Sequence, residues 1–209
     1  MSTHPVSPSD SPRAEARRDQ IRAAAADCFR RHGFHGTSIA QISKAAGMSP
    51  GHIYHYFENK EAIIADIVAQ DLDHVLTLIA ELRSARDVRE AMIERVVEAV
   101  AEHLDADTAA LRLEISAEAA RNPRIAAIVR DADERIRAGL ADTLHGLRQA
   151  AGHADRAAAI SAMVEAIIAL FEGLQIRSVR NPGLDRGQVT QMYQQILRGL
   201  LAQAAESAG

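Results

Sequence analysis

Aromatic residues are scarce in this chain: they make up 3% of it and tryptophan is absent, although 47% of residues are hydrophobic. Its core must therefore be aliphatic, and a cavity in such a core favours aliphatic or flexible molecules over stacked planar ones. A single cysteine, Cys28, excludes an internal disulfide. No signal-peptide pattern is evident, and no apolar run approaching membrane-spanning length is expected, which points to a cytoplasmic protein with no membrane partner. Alternating β-branched runs are missing, so strands are not expected. A glycine-rich phosphate loop, a serine elbow and a Cys-His pair are missing as well, leaving no catalytic centre and no call for a cofactor.

What is present is a helix-forming composition of alanine, leucine, isoleucine, arginine and glutamate, spread over 209 residues. That length suits two fused helical domains sharing a core. The most informative stretch is Thr37 to Lys60, TSIAQISKAAGMSPGHIYHYFENK. Ser38 with Gln41 forms a capping box ahead of Ile39 and Ile42, and Gly47 can take the left-handed conformation that stops a helix. Ser49 then caps a second helix whose first position is Pro50, where a missing amide hydrogen costs nothing. Two short helices around a tight turn make a helix-turn-helix. In the second, Ile53 and Phe57 take inward positions, leaving Pro50, Gly51, His52, Tyr54, His55 and Tyr56 to face outward. With Thr37, Ser38, Ser49 and Lys60, these are the candidate DNA contacts, the bare helix start facing a phosphate or the groove floor.

The motif closely resembles the DNA-binding segment of the TetR family of repressors, at Ile42, Ala46, Gly47, Ser49, Gly51, Tyr54, Phe57 and Lys60. Ser43 stands where the family usually has alanine, and Met48 where it usually has valine. The resemblance covers roughly the first third of the chain. It implies a homodimeric regulator, by default a repressor, that binds a near-palindromic double-stranded operator and is released by a small molecule. The alternatives are a ligand-independent or activating regulator on the same fold, and a small all-helical enzyme carrying a fortuitous hairpin. Charge distribution agrees with a DNA partner. The chain is −4 overall, but residues 1–65 carry eight Lys/Arg against six Asp/Glu, leaving sixteen against twenty-two beyond. An acidic body with a mildly basic head suits a specific DNA binder.

The expected architecture is all-α, with about nine helices: a disordered arm over 1–12, a three-helix DNA-binding head over 13–62, and a ligand-binding and dimerisation body over 63–209. The first helix should run from about Ala14 to His32, with Ile21, Ala25, Cys28 and Phe29 inward and Gly33 as its stop. Asn59 should cap a helix running to about Leu82. Five more are expected at about 88–104, 108–120, 123–150, 154–179 and 186–204, with Asp107, Asn122 and Asp185 as caps. The last two are apolar around more of their circumference than one core requires, so a second buried surface is expected there. Ile168, Leu174, Met192, Ile196, Leu197 and Leu200 are the candidate dimer contacts, forming a four-helix bundle across a two-fold axis.

The family resemblance also implies an inducer among the body helices, with Met92, Val96, His103, Leu111, Ile115, Met163, Ile167 and Phe171 as candidate lining and an apolar or flexible small molecule as the ligand. His103, Asp107 and Glu114 are the nearest approach to a metal-ligand set. Asp107 is required as a cap, however, and no second histidine lies at ligand spacing, so no metal site is expected. Glu114 and Glu118 share a helix face, a pattern that usually marks solvated surface.

Overall fold

The computed structural model describes residues 12–150, 152 and 157–205, and nine α-helices are the regular elements among them. Apart from Pro12, the expected N-terminal arm lies outside the described residues. The head comprises α1 (Pro12–Gly36), α2 (Ile39–Ala46) and α3 (Pro50–Tyr56). The body comprises α4 (Lys60–Ser84), α5 (Val88–His103), α6 (Ala106–Ala119), α7 (Pro123–Ala150), α8 (Ala157–Arg180) and α9 (Arg186–Ala205).

Local chemistry accounts for most of the boundaries. Gly33 breaks α1 with φ 69° and ψ 168°, a region essentially restricted to glycine, so the long helix ends there. Phe34–Gly36 then form a further turn that leads into α2. Ser38 Oγ accepts from Gln41 N at 3.2 Å, while Gln41 Oε1 accepts from Ser38 N at 2.7 Å, which completes the capping box. Gly47 ends α2 at φ 64°, and Ser49 Oγ accepts from His52 N at 3.2 Å to open α3. Asn59 Oδ1 accepts from Ala62 N at 2.8 Å, Asp87 Oδ1 from Glu90 N at 3.0 Å, Asn122 Oδ1 from Arg124 N at 3.1 Å, and Asp185 Oδ1 from Gln188 N at 3.0 Å. One cap differs from expectation. Asp105, rather than Asp107, opens α6, because its Oδ1 accepts both the amide of Thr108 at 2.8 Å and its hydroxyl at 2.7 Å. Asp107 lies exposed in the first turn, 3.3 Å from Arg30.

Two apolar clusters form the interior. One gathers Ile21, Ala25, Cys28, Phe29, Ile42, Ile53, Phe57, Ile63 and Ile64, and is completed by Ile115 from α6 and Ile125 from α7. Residues of the body therefore close the core of the head. The other cluster holds Met92, Val96, Val100, Leu144, Ile160, Val164, Leu174, Leu197 and Leu201. Each fully buried aliphatic side chain contributes about 1.5–3 kcal/mol.

The last two helices correct two expectations. Over an 18-residue window α8 carries no more than two charged side chains, so by length and composition it does reach that of a membrane span. Only 22% of that window is buried: Ile160, Val164, Ile167 and Leu174 pack inward, whereas Ile176 and Val179 stay exposed. Leu174 and Leu197, expected at a dimer contact, pack instead into the protomer's own core, 3% and 6% exposed. The residues turned outward are Ile176, Val179 and Met192, between 45% and 61% exposed.

Candidate functional site

α2 and α3 cross around Gly47 so that Ile42, Ala46, Ile53 and Phe57 are buried, and Ser38, Gln41, Lys44, Ser49, Pro50, Gly51, His52, Tyr54 and His55 remain exposed. Gln20 Nε2 donates to Ala46 O at 2.8 Å and holds the end of α2 against α1. Tyr54 is the most prominent side chain of α3, 56% exposed. Tyr56 is half-buried and stacks on His52 with ring centroids 5.5 Å apart, so α3 presents its imidazole on an aromatic support. The surface combines hydroxyl, imidazole and ammonium donors with little apolar area, the chemistry needed to position a helix on a phosphate backbone.

Two candidate contacts have structural roles within the head. Lys60 Nζ donates to Phe34 O and Thr37 O, both at 2.6 Å, and stands 4.4 Å from the Phe34 ring centroid. Its ammonium joins the start of α4 to the α1–α2 junction, and the residue remains half-exposed. Thr37 is 2% exposed, and its hydroxyl hydrogen lies between Gly33 O at 2.8 Å and Cys28 O at 3.0 Å. Lys44 is the lysine that does face outward from α2; its position three residues before Gly47 was the available signal for it.

The same junction is held from the body. Glu114 Oε1 accepts from Phe34 N at 2.7 Å, and Glu118, 1% exposed, places Oε2 3.1 Å from His35 Nε2 while Oε1 accepts from Asn122 Nδ2 at 3.0 Å. These carboxylates are not the solvated face expected from their spacing. They reach back across the chain to the start of the helix-turn-helix, so the set His103, Asp107 and Glu114 is not assembled as metal ligands.

On the opposite side of α6 lies a cavity of about 480 Å³, walled by α4 to α8 with Arg30 of α1 and Leu197 of α9, within the roughly 300–1,000 Å³ of small-molecule sites. Of the candidate ligand contacts, Met92, Val96, His103, Leu111, Ile115, Ile167 and Phe171 stand on its wall, and Met163 packs against the second core. Sequence reasoning missed the α4 wall, Ile67, Val68, Leu72, Val75 and Ile79, and the α7 wall at Ala132, Ile136 and Leu140. Arg112 reaches Asp71 at 2.8 Å and Glu102 at 2.5 Å, and this pairing more than offsets the effect of burial and raises its pKa. Burial lowers the pKa of His103, whose Nδ1 lies 2.8 Å from Ala99 O. In the neutral ring Nδ1 carries the proton, leaving Nε2 as an acceptor.

Residues 21–67 match the family described as bacterial regulatory proteins, tetR family, and residues 85–202 match the BetI-type transcriptional repressor C-terminal family. The chain belongs to the TetR family of transcriptional regulators. The HTH-type regulator UidR of Escherichia coli strain K12 is 33% identical over 136 residues, which span 65% of this chain and 68% of UidR. The structure of Salmonella enterica GusR superposes with a TM-score of 0.75 at 29% identity, covering 93% of this chain and 99% of GusR. FadR from Bacillus subtilis, solved in complex with stearoyl-CoA, shares the fold with a TM-score of 0.72 at 18% identity over 86% of this chain and 96% of its own.

As a TetR-family member the chain is a DNA-binding regulator rather than an enzyme. Its two departures from the family motif are accommodated at the turn. Ser43 is buried and its carbonyl accepts from Met48 N at 2.9 Å, while the Met48 side chain packs against the head core.

Proposed function

We propose that this regulator is a cytoplasmic repressor that binds a near-palindromic operator as a homodimer and releases it when a small molecule enters the body cavity. The observation that carries this reading is the placement of α6. Leu111, Arg112, Ile115 and Ser116 line the cavity, and Glu114 on the other side accepts from the Phe34 amide, three residues before the start of the helix-turn-helix. A molecule that displaces α6 in the cavity acts on the junction that sets the angle of α2 and α3. The fold neighbour from Bacillus subtilis, solved with stearoyl-CoA, supports a small-molecule role for this body. Within the expected DNA-contact set, Ser38, Ser49, Pro50, Gly51, His52, Tyr54, His55 and Tyr56 carry the docking surface, with Lys44 added to it.

The dimer reading is supported by exposed apolar side chains on the last two helices, Ile176 and Val179 on α8 and Met192 on α9, with Ile168, Ile196 and Leu200 half-buried. A second copy across a two-fold axis would cover it and hold two α3 helices about 34–36 Å apart, or a multiple of that, to meet successive major grooves. The test is to enrich genomic fragments on the purified protein, sequence them, and measure affinity and stoichiometry on the recovered site. Two protomers on one symmetric site is the expected result. A protein that enriches no fragment overturns the reading.

A further inference from the structure

The cavity lining carries five carboxylates, Asp71, Glu102, Asp107, Asp133 and Glu172, against three guanidiniums, Arg30, Arg95 and Arg112. Four of the acids have partners: Asp71 and Glu102 hold Arg112, Asp107 lies 3.3 Å from Arg30, and Asp133 accepts from Arg137 Nε at 2.8 Å. Arg137 also reaches Glu165 at 3.5 Å, and Arg95 is held by Glu98 at 2.5 Å. Among the described residues Glu172 has no cation within ion-pair distance, although it stands on the cavity wall beside Asp133 and Glu165. The residue is exposed on its outer side, but partial desolvation of its carboxyl against the cavity wall, then these two like-charged neighbours, push it above the ordinary carboxylate value.

A second, independent feature lies one turn further along α8. The side chain of Gln175, in a residue only 8% exposed, lines the same cavity and makes no hydrogen bond among the described residues. Its amide atoms are not sealed off with the rest of the residue, so a ligand donor entering the cavity can reach the oxygen. His103 adds an acceptor nitrogen rather than a positive charge, and its ring lies against Phe171, centroids 5.5 Å apart, whose face suits a cation. Among the described residues every guanidinium of the lining is already paired, so an anionic ligand would meet no free cation there.

We infer that the cavity takes an amphiphilic amine, its ammonium between Glu172 and the Gln175 amide and its aliphatic chain along the α4 and α7 walls. The inference rests on the reading of this cavity as the effector site and adds the charge of the effector. Three ten-carbon probes separate the two: decylamine, decanoate and decanol, each titrated against the full-length protein by calorimetry and against the protein–operator complex by fluorescence anisotropy. Decylamine should bind tightest and release the operator, and Glu172→Gln should weaken it about tenfold, a loss of about 1.4 kcal/mol, while leaving decanol unchanged. Gln175→Leu should weaken decylamine as well, with sedimentation confirming that both variants keep the wild-type mass. Equal affinity for decanoate, or decylamine binding unaffected by Glu172→Gln, overturns the charge assignment. If decanoate or decanol binds best and still releases the operator, the effector cavity stands and only the amine is refuted. Binding by none of the three refutes both.

Discussion

Replacing Lys60 with methionine separates two roles that a lysine beside a helix-turn-helix can have. In the structure its ammonium donates to two backbone carbonyls at 2.6 Å and sits over the Phe34 ring. Hydrogen bonds from a charged donor are worth about 1.5–3 kcal/mol when buried; Lys60 is half-exposed, so about 1 kcal/mol each is appropriate. The ring contact adds about 0.5–1 kcal/mol. Methionine keeps the packing of the stem, so Lys60→Met should cost about 2–3 kcal/mol and lower Tm by about 5–10 °C in a chain of this size. The assay is thermal denaturation together with operator affinity across a salt series, measured well below the variant's Tm. The slope of log affinity against log salt should match the wild type, because no phosphate contact is removed. An unchanged Tm with a slope shallower by about 0.9 would refute the argument, since that is the signature of one lost phosphate contact.

Gly33→Ala should destabilise the protein by about 1–3 kcal/mol, because its φ of 69° is strained for any side chain and a Cβ would lie 3.3 Å from Glu114 Oε1; urea denaturation checks it. Tyr54→Phe should leave the melting temperature unchanged and weaken the operator, as an exposed hydroxyl on α3 has no role in folding; anisotropy and calorimetry read the two effects separately. Ile176→Glu or Val179→Glu should yield monomers by sedimentation and abolish operator binding, since a carboxylate would be buried unpaired between two copies. Stability should fall as pH is lowered through about 6.5. His103 has a depressed pKa in the folded state, so the unfolded chain takes up its proton first; above 6.5 neither state is protonated and stability is full. His103→Gln should flatten that dependence in denaturation curves run between pH 5 and 8.

The helices and their ends were legible in the sequence because the signals are local. Caps lie within three residues of what they cap, Gly33 and Gly47 mark left-handed turns, and Ile21, Ile42 and Ile53 fall on the inward stripe. What was misread depends on distance along the chain. Glu114 finds the Phe34 amide across 80 residues, so a solvated carboxylate was the natural reading of it alone, and the bond of Lys60 to Phe34 O across 26 residues was equally out of view. On α8 and α9, leucine and isoleucine occur around most of the circumference, and periodicity cannot say which stripe meets the protomer's own core. Leu174 and Leu197 went inward, and Met192 outward. The α4 wall was missed for a related reason: a helix joining head and body reads as a connector until α7 is seen packed along it.

α6 is shared by two sites: its Leu111 and Ile115 belong to the cavity, and its Glu114 and Glu118 to the head junction. This helix of 14 residues contacts both, and whatever influence one site has on the other through it is made symmetric by equilibrium linkage. If a cavity ligand lowers operator affinity by some factor, saturating operator must lower affinity for the ligand by the same factor. In the cell, promoter-bound protein would then sense a higher concentration of effector than protein free of DNA, and the threshold for release would depend on how many operators the genome carries.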